Sequence, residues 1–173
     1  ASSTPVIGDT YPSASSIHFQ FPAREGLPPV KVHWYDGGLL PARPDELEDG
    51  RALNPEDGVI FVGDQGKMLV EGWGGETPRL IPEARNKEYQ RPPKTLPRSV
   101  GHHKEWLQAC RTGSPTRSNF DFAGPLTEAV LLGMVCVRNG GDTLLWDSTN
   151  LKVTNDSDAN RFLHYDYRPG WEL

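Results

Sequence analysis

Strict two-residue alternation is the feature that most constrains this chain. In Ser16-Ile17-His18-Phe19-Gln20-Phe21, the apolar Ile17, Phe19 and Phe21 fall on one side of an extended backbone. In Val30-Lys31-Val32-His33-Trp34-Tyr35, Val30, Val32 and Trp34 do the same. The connection between them is short and rich in Gly and Pro, so the pair is predicted to form an antiparallel hairpin. Its other face would carry His18, Gln20, Lys31, His33 and Tyr35, a polar and aromatic set better suited to a wet interface than to a core. Trp34 continues the apolar row of Val30 and Val32 and is expected in the core.

The rest of the chain divides by the same logic. Val59-Ile60-Phe61-Val62 runs through Gly63-Asp64-Gln65-Gly66 into Lys67-Met68-Leu69-Val70, a second predicted hairpin, and Leu80-Ile81 can add a short strand. Residues 40–55 and 82–97 are polar and broken by Pro, and are expected to be long surface connections. Helical spacing begins at Ser99, a candidate cap for residues 100–110, with Gly113 as the stop. Val100, His103, Trp106, Leu107 and Cys110 would share its apolar side. A second helix is predicted from Pro125 to about Arg138, with Leu126, Val130, Gly133, Met134 and Val137 as its stripe. Residues 143–146 and 151–154 read as two short strands, and residues 159–163 as a helical turn. Strands in hairpins followed by helices, without regular alternation, predict an α+β class. The expected form is one domain over residues 1–173: an open, mostly antiparallel β-sheet with helices packed on one face.

Composition narrows the function. The net charge is −5 and both signs are interspersed, so no basic stripe exists to neutralise a run of phosphates, and nucleic acid is not an expected partner. No uninterrupted apolar run reaches the ~18 residues of a membrane span, and a membrane is not expected as a partner either. Cys110 and Cys136 both fall in predicted helices without a metal-ligand spacing, and are expected to be buried thiols. The start at Ala1-Ser2-Ser3-Thr4 reads as the boundary of a piece taken from a longer chain. Any targeting segment would then lie outside it, leaving cytoplasm and periplasm equally open.

Little in the sequence points to chemistry performed by this chain alone. Gly37-Gly38, Gly74-Gly75 and Gly140-Gly141 lack the spaced glycines that bring a pyrophosphate onto a helix N-terminus, so no cofactor is expected to be held here. His102 and His103 are adjacent, point about 100° apart on a helix, and cannot jointly grip one ion. No metal site, nucleophile elbow or paired catalytic carboxylates are expected. The acidic run Asp45/Glu46/Glu48/Asp49 reads as a solvated loop. His33 beside Trp34-Tyr35-Asp36, and Trp73 in Gly72-Trp73-Gly74-Gly75, are the candidates for a sugar-binding wall. Ordinary sheet packing and turn formation account for the same residues.

An ordered series of motifs carries a resemblance. Val32-His33-Trp34-Tyr35-Asp36-Gly37-Gly38 and Phe61-Val62-Gly63-Asp64-Gln65-Gly66-Lys67 open it. Gly101-His102-His103-Lys104-Glu105-Trp106-Leu107-Gln108-Ala109-Cys110 and Ser118-Asn119-Phe120-Asp121-Phe122-Ala123-Gly124-Pro125-Leu126-Thr127-Glu128 continue it. Leu145-Trp146-Asp147, Thr154-Asn155, Ala159-Asn160 and Tyr167-Arg168-Pro169-Gly170-Trp171-Glu172-Leu173 complete it. The series resembles the C-terminal region of the bacterial branch of the Gfo/Idh/MocA oxidoreductases, in order along the whole chain. The resemblance implies a two-domain parent whose N-terminal Rossmann domain holds NAD or NADP and carries a Glu-Lys-Pro motif. The C-terminal domain would wall the substrate cleft, with a sugar or polyol as substrate, and form a homo-oligomer through its sheet face. Pro93-Lys94-Thr95 is not the Glu-Lys-Pro motif, and the helix that bears the family's acid/base His would lie upstream. No catalytic residue is therefore carried over; His33, Tyr35 and Trp73 stand as substrate-binding expectations. Relatives that use a retained cofactor to cleave glycosidic bonds offer one alternative, and a stand-alone carbohydrate-binding or oligomerisation module another.

Overall fold

The computed structural model describes residues 2–7, 12–72, 75 and 77–171. In chain order the elements are β1 (Ser2–Ile7), β2 (Pro12–Phe21), β3 (Val30–Tyr35), β4 (Val59–Gly63), β5 (Gly66–Val70), β6 (Arg79–Ile81), α1 (Glu83–Glu88), α2 (His102–Thr112), α3 (Phe120–Arg138), β7 (Trp146–Asp147) and β8 (Lys152–Val153), followed by a 3-10 turn at Asp158–Phe162. The class is α+β, and every strand pairing among the described residues is antiparallel. The strands form three small sheets among the described residues, β1-β2-β3, β4-β5-β6 and β7-β8, instead of one larger sheet. Two compact units result, residues 1–37 with 98–173, and residues 38–97.

In the first unit both predicted strands of the opening hairpin form and pair antiparallel as expected. Ile17 faces Trp34, Phe19 faces Val32 and Phe21 faces Val30, so the six apolar side chains share one face. Helix α3 lies on β1 and β2. Gly133 makes this possible: a Cβ there would stand 3.0 Å from Phe19 Cζ and 3.2 Å from Ile17 Cδ1. Cover stops short of β3. Trp34 is 52% exposed, with Val30 and Val32 also exposed, which corrects the expectation that Trp34 is core. The reason is placement: one helix wide enough for two strands leaves the third strand's apolar row open.

Helix α3 starts at Phe120, earlier than the predicted Pro125, because the Asn119 side chain accepts from the Phe122 amide and caps it. Pro125 sits inside the helix. Its buried arc holds Gly133, Val135 and Cys136, whereas Leu126, Val130 and Met134 of the predicted stripe are exposed. The helix is apolar on nearly all sides, so spacing alone could not choose the face. Among the described residues it is also the one helix long and apolar enough to cross a membrane, with a mean hydropathy of 1.5. Asp121 and Glu128 interrupt its apolar run. Its inward side instead joins Val135 and Cys136 to Leu144, Val153 and Ala159, with Trp146, Phe162 and Leu163 packed around them.

Helix α2 ends at Gly113 as predicted, in the left-handed conformation with φ 71°. It begins at His102 with Gly101 as its cap, and Ser99 acts two residues before that cap: its hydroxyl accepts from the Gly101 amide at 3.1 Å and donates to Glu105 at 2.7 Å. That hydroxyl, together with the Arg117 amide, holds the Glu105 carboxyl below its ordinary range. No residue of α2 is buried, and Val100, Trp106 and Leu107 of its apolar side face outward. The helix packs on no other element among the described residues, whereas α3 meets β1 and β2 and α1 meets β6. Cys110 is exposed, correcting its expected burial, while Cys136 is buried as expected.

The second unit has a core of Leu47, Leu69 and Ile81, with Leu53 and Ile60 against it. Residues 40–55, expected to run over the surface, supply Leu47 to this core. Arg43 organises that segment by donating to the carbonyls of Pro44, Leu47, Glu48 and Arg51, a use of the guanidinium fork that Lys cannot copy. Helix α1 lies within residues 82–97, where a loop was expected. Glu48 Oε1 accepts from the Glu83 amide at 2.5 Å, and Oε2 lies 3.5 Å from both Arg79 and Arg51. Its own backbone amide and that of Glu83, more than the two cations, hold the Glu48 carboxyl below the ordinary carboxylate range.

Two predictions follow from this packing. Gly133→Leu will destabilise the first unit by about 1–3 kcal/mol in urea titrations, since the added side chain must displace Ile17 and Phe19. Glu48→Gln will lower the stability of the second unit near neutral pH. A carboxyl with a depressed folded-state pKa contributes stability that is present above its unfolded value, about 4.3, and is lost as pH falls through the folded value. The gap between wild type and Glu48→Gln in thermal midpoint will therefore close as the pH is taken below that range.

Candidate functional site

The polar face of the β2–β3 hairpin is the candidate site. Direct pairing sets His18 opposite His33, Gln20 opposite Lys31 and Ser16 opposite Tyr35, so all six residues rise from one side of two strands. His33 is exposed, while His18 and Tyr35 are half-buried. The two imidazoles meet edge to face with ring centroids 4.6 Å apart, and Nδ1 of one contacts Nδ1 of the other. Ser16 Oγ lies 3.2 Å from the far nitrogen of His18, Nε2. Neither ring has an acidic ion-pair partner among the described residues.

Asp36 fastens the end of the hairpin from its opposite side, the one that carries Ile17 and Trp34. Its Oδ1 accepts from the Ser15 amide at 2.7 Å and from the Ser15 hydroxyl at 2.8 Å, and its Oδ2 accepts from Trp34 Nε1 at 3.4 Å. Ser15 is buried. The aspartate therefore fixes the exit of β3 against β2 and, through it, the position of Tyr35. Sequence reading took Asp36 for a turn former; its bond to a residue 21 positions away leaves no local signal.

The predicted residues do not all come into view. His33 and Tyr35 share a face as expected, and Trp34 lies on the opposite one. Trp73 lies outside the described residues. His102 and His103 on α2 stack edge to face at 5.6 Å between centroids, and among the described residues no cluster of three or more His, Cys, Asp or Glu could hold a metal ion. The sequence places His18 only on the polar face of the hairpin. Its strand partner at position 33 becomes visible once the register is fixed.

Several residues that carry the sequence resemblance have mechanical duties. Asn160 accepts from the Val153 amide at 2.8 Å and donates to the Val153 carbonyl at 3.0 Å, locking the 3-10 turn onto β8. Asn155 accepts from Leu145 and donates to Thr143. Trp146 Nε1 donates to Glu128 at 2.6 Å, tying β7 to α3. Asp147 caps the turn between β7 and β8, and the Asn150 side chain and amide hold its carboxyl below the ordinary range. These are scaffold roles, and none sits beside the His18–His33 face. Comparison with protein-family models and with curated protein sequences gives no match to this chain.

Asp36→Ala will cost about 1–3 kcal/mol, because the buried Ser15 amide and hydroxyl lose their acceptor together. Asp36→Asn will recover part of it. Chemical denaturation of the two variants, followed by the fluorescence of the neighbouring Trp34, provides the measurement.

Proposed function

We propose that this chain is the C-terminal, substrate-walling domain of an NAD(P)-dependent oxidoreductase of the Gfo/Idh/MocA type, acting on a sugar or polyol and inactive by itself. The observation that carries the reading is the two-sided hairpin: α3 covers one face at Ile17 and Phe19, and the other carries the exposed His33 with the half-buried His18 and Tyr35. A sugar presents apolar C–H faces and a rim of hydroxyls, which an aromatic ring and an imidazole complement. The ordered motifs support the same assignment. The finer fold, an open antiparallel sheet of that family's C-terminal type, belongs to this proposal too.

In the parent, NAD or NADP would sit in a Rossmann domain upstream, and hydride would pass between the sugar carbon and the nicotinamide there. This chain would orient the sugar and exclude water. Exposed apolar side chains on β3, α2 and α3 support docking to that upstream domain and self-association through the sheet face. A cofactor-retaining glycosidase of the same superfamily fits the same wall, since the residues that separate the two chemistries would lie outside this chain.

The test uses the full-length parent. Tyr35→Phe and His33→Ala are expected to lower kcat/KM about tenfold, or ~1.4 kcal/mol of transition-state binding. Unchanged efficiency with reduced folding stability would make both residues scaffold. Saturable sugar binding by the 173-residue chain alone would favour a free-standing carbohydrate-binding module instead.

A further inference from the structure

We propose that His18 and His33 form a two-imidazole site for a late divalent transition ion, with Cu(II) the best fit. The site needs only β2 and β3 and is independent of the proposed oxidoreductase reading. Three observations converge. The register places the residues directly opposite one another across two hydrogen-bonded strands, so the backbone fixes the distance between them. The rings turn the same nitrogen, Nδ1, toward a common point, with centroids 4.6 Å apart and planes 73° apart. Ser16 Oγ stands 3.2 Å from His18 Nε2, the outer hydrogen bond that orients an imidazole ligand and fixes its tautomer.

Without an ion, two facing Nδ1 atoms are compatible only if one carries a proton and donates to the other's lone pair. A metal ion replaces that proton as the shared partner. The ring that bore hydrogen on Nδ1 then carries it on Nε2, both Nδ1 lone pairs bind the ion, and no net charge is lost from the protein. On His18 the Nε2 hydrogen points to Ser16 Oγ. Imidazole suits Cu, Zn and Ni, and Cu(II) binds most tightly at a given nitrogen site. Bringing the ion in requires a small ring rotation that opens the Nδ1 contact, and the exposure of His33 leaves room for it. Two protein ligands leave the remaining positions to water or to an incoming ligand.

The adjacent pair His102–His103 supplies the internal control. Those rings come from neighbouring positions on one helix, lie 5.6 Å apart, and have no strand register holding a common focus. Titrate the 173-residue chain with CuCl2 by calorimetry and follow the ligand-field absorption band. One ion per chain is expected. His33→Gln and His18→Gln should each weaken uptake at least tenfold, while His102→Gln combined with His103→Gln should leave it unchanged. Circular dichroism checks each fold; should His18→Gln fail to fold, His33→Gln at its exposed position decides alone. Absence of saturable uptake, retention of full affinity in His33→Gln, or loss in the α2 double variant would overturn the proposal.

Discussion

The contact of Gly133 with Ile17 and Phe19 is the constraint on which the first unit depends. A helix approaches a sheet this closely only where no Cβ intervenes, and the distances of 3.0 and 3.2 Å leave none to spare. That approach fixes the rotation of α3. With Gly133 toward the sheet, Val135 and Cys136 turn toward Leu144, Val153 and Ala159, so one helix serves two apolar clusters. It also decides the fate of the hairpin. Covering Ile17 and Phe19 on one face leaves His18, His33 and Tyr35 on the other, and the candidate site exists because of where the helix is not.

What the sequence made legible follows from which forces are local. Alternation in residues 16–21 and 30–35 gave the strands, their faces and the antiparallel hairpin, because a period of two sets Ile17 and Phe19 on one side together. Gly113 as a helix stop was equally readable, since its positive φ is a local demand. The face of α3 was not. The expected stripe of Leu126, Val130, Gly133, Met134 and Val137 is right at Gly133, which meets the sheet, but Leu126, Val130 and Met134 are exposed while Val135 and Cys136 are buried. Trp34 was misplaced for a related reason. Alternation assigns a residue to a face, but whether a helix extends over that face is a tertiary fact.

The polar bonds explain how segments without regular pairing hold together. Residues 40–55 contain three prolines, yet they are ordered around Arg43, whose guanidinium satisfies four carbonyls and so presents Leu47 to the core. Asn160 and Asn155 do the same for β7 and β8, strands of two residues each that could not persist on ladder bonds alone. In each place a side chain stands in for a missing backbone partner. Such bonds are long-range and specific, so composition conceals them: Arg43 in the sequence is only one more charge in an acidic loop.

Set against these small cores, the exposed apolar surface has a consequence for the chain's stability. Phe21, Val30, Val32 and Trp34 on the hairpin, Trp106 and Leu107 on α2, and Phe122, Leu126, Val130, Leu131 and Met134 on α3 are all exposed. A unit whose buried clusters hold a handful of residues gains less from folding than one that also buries these. Helix α2 shows the imbalance most clearly. Its hydrogen bonds to Ser99 and Arg117 hold its start in place, yet no side chain along it is buried, and a helix of 11 residues is marginal on propensity alone. Any surface that covers Trp106 and Leu107 would therefore add to the stability of α2 as well as to its own binding, coupling the order of this helix to the presence of a partner.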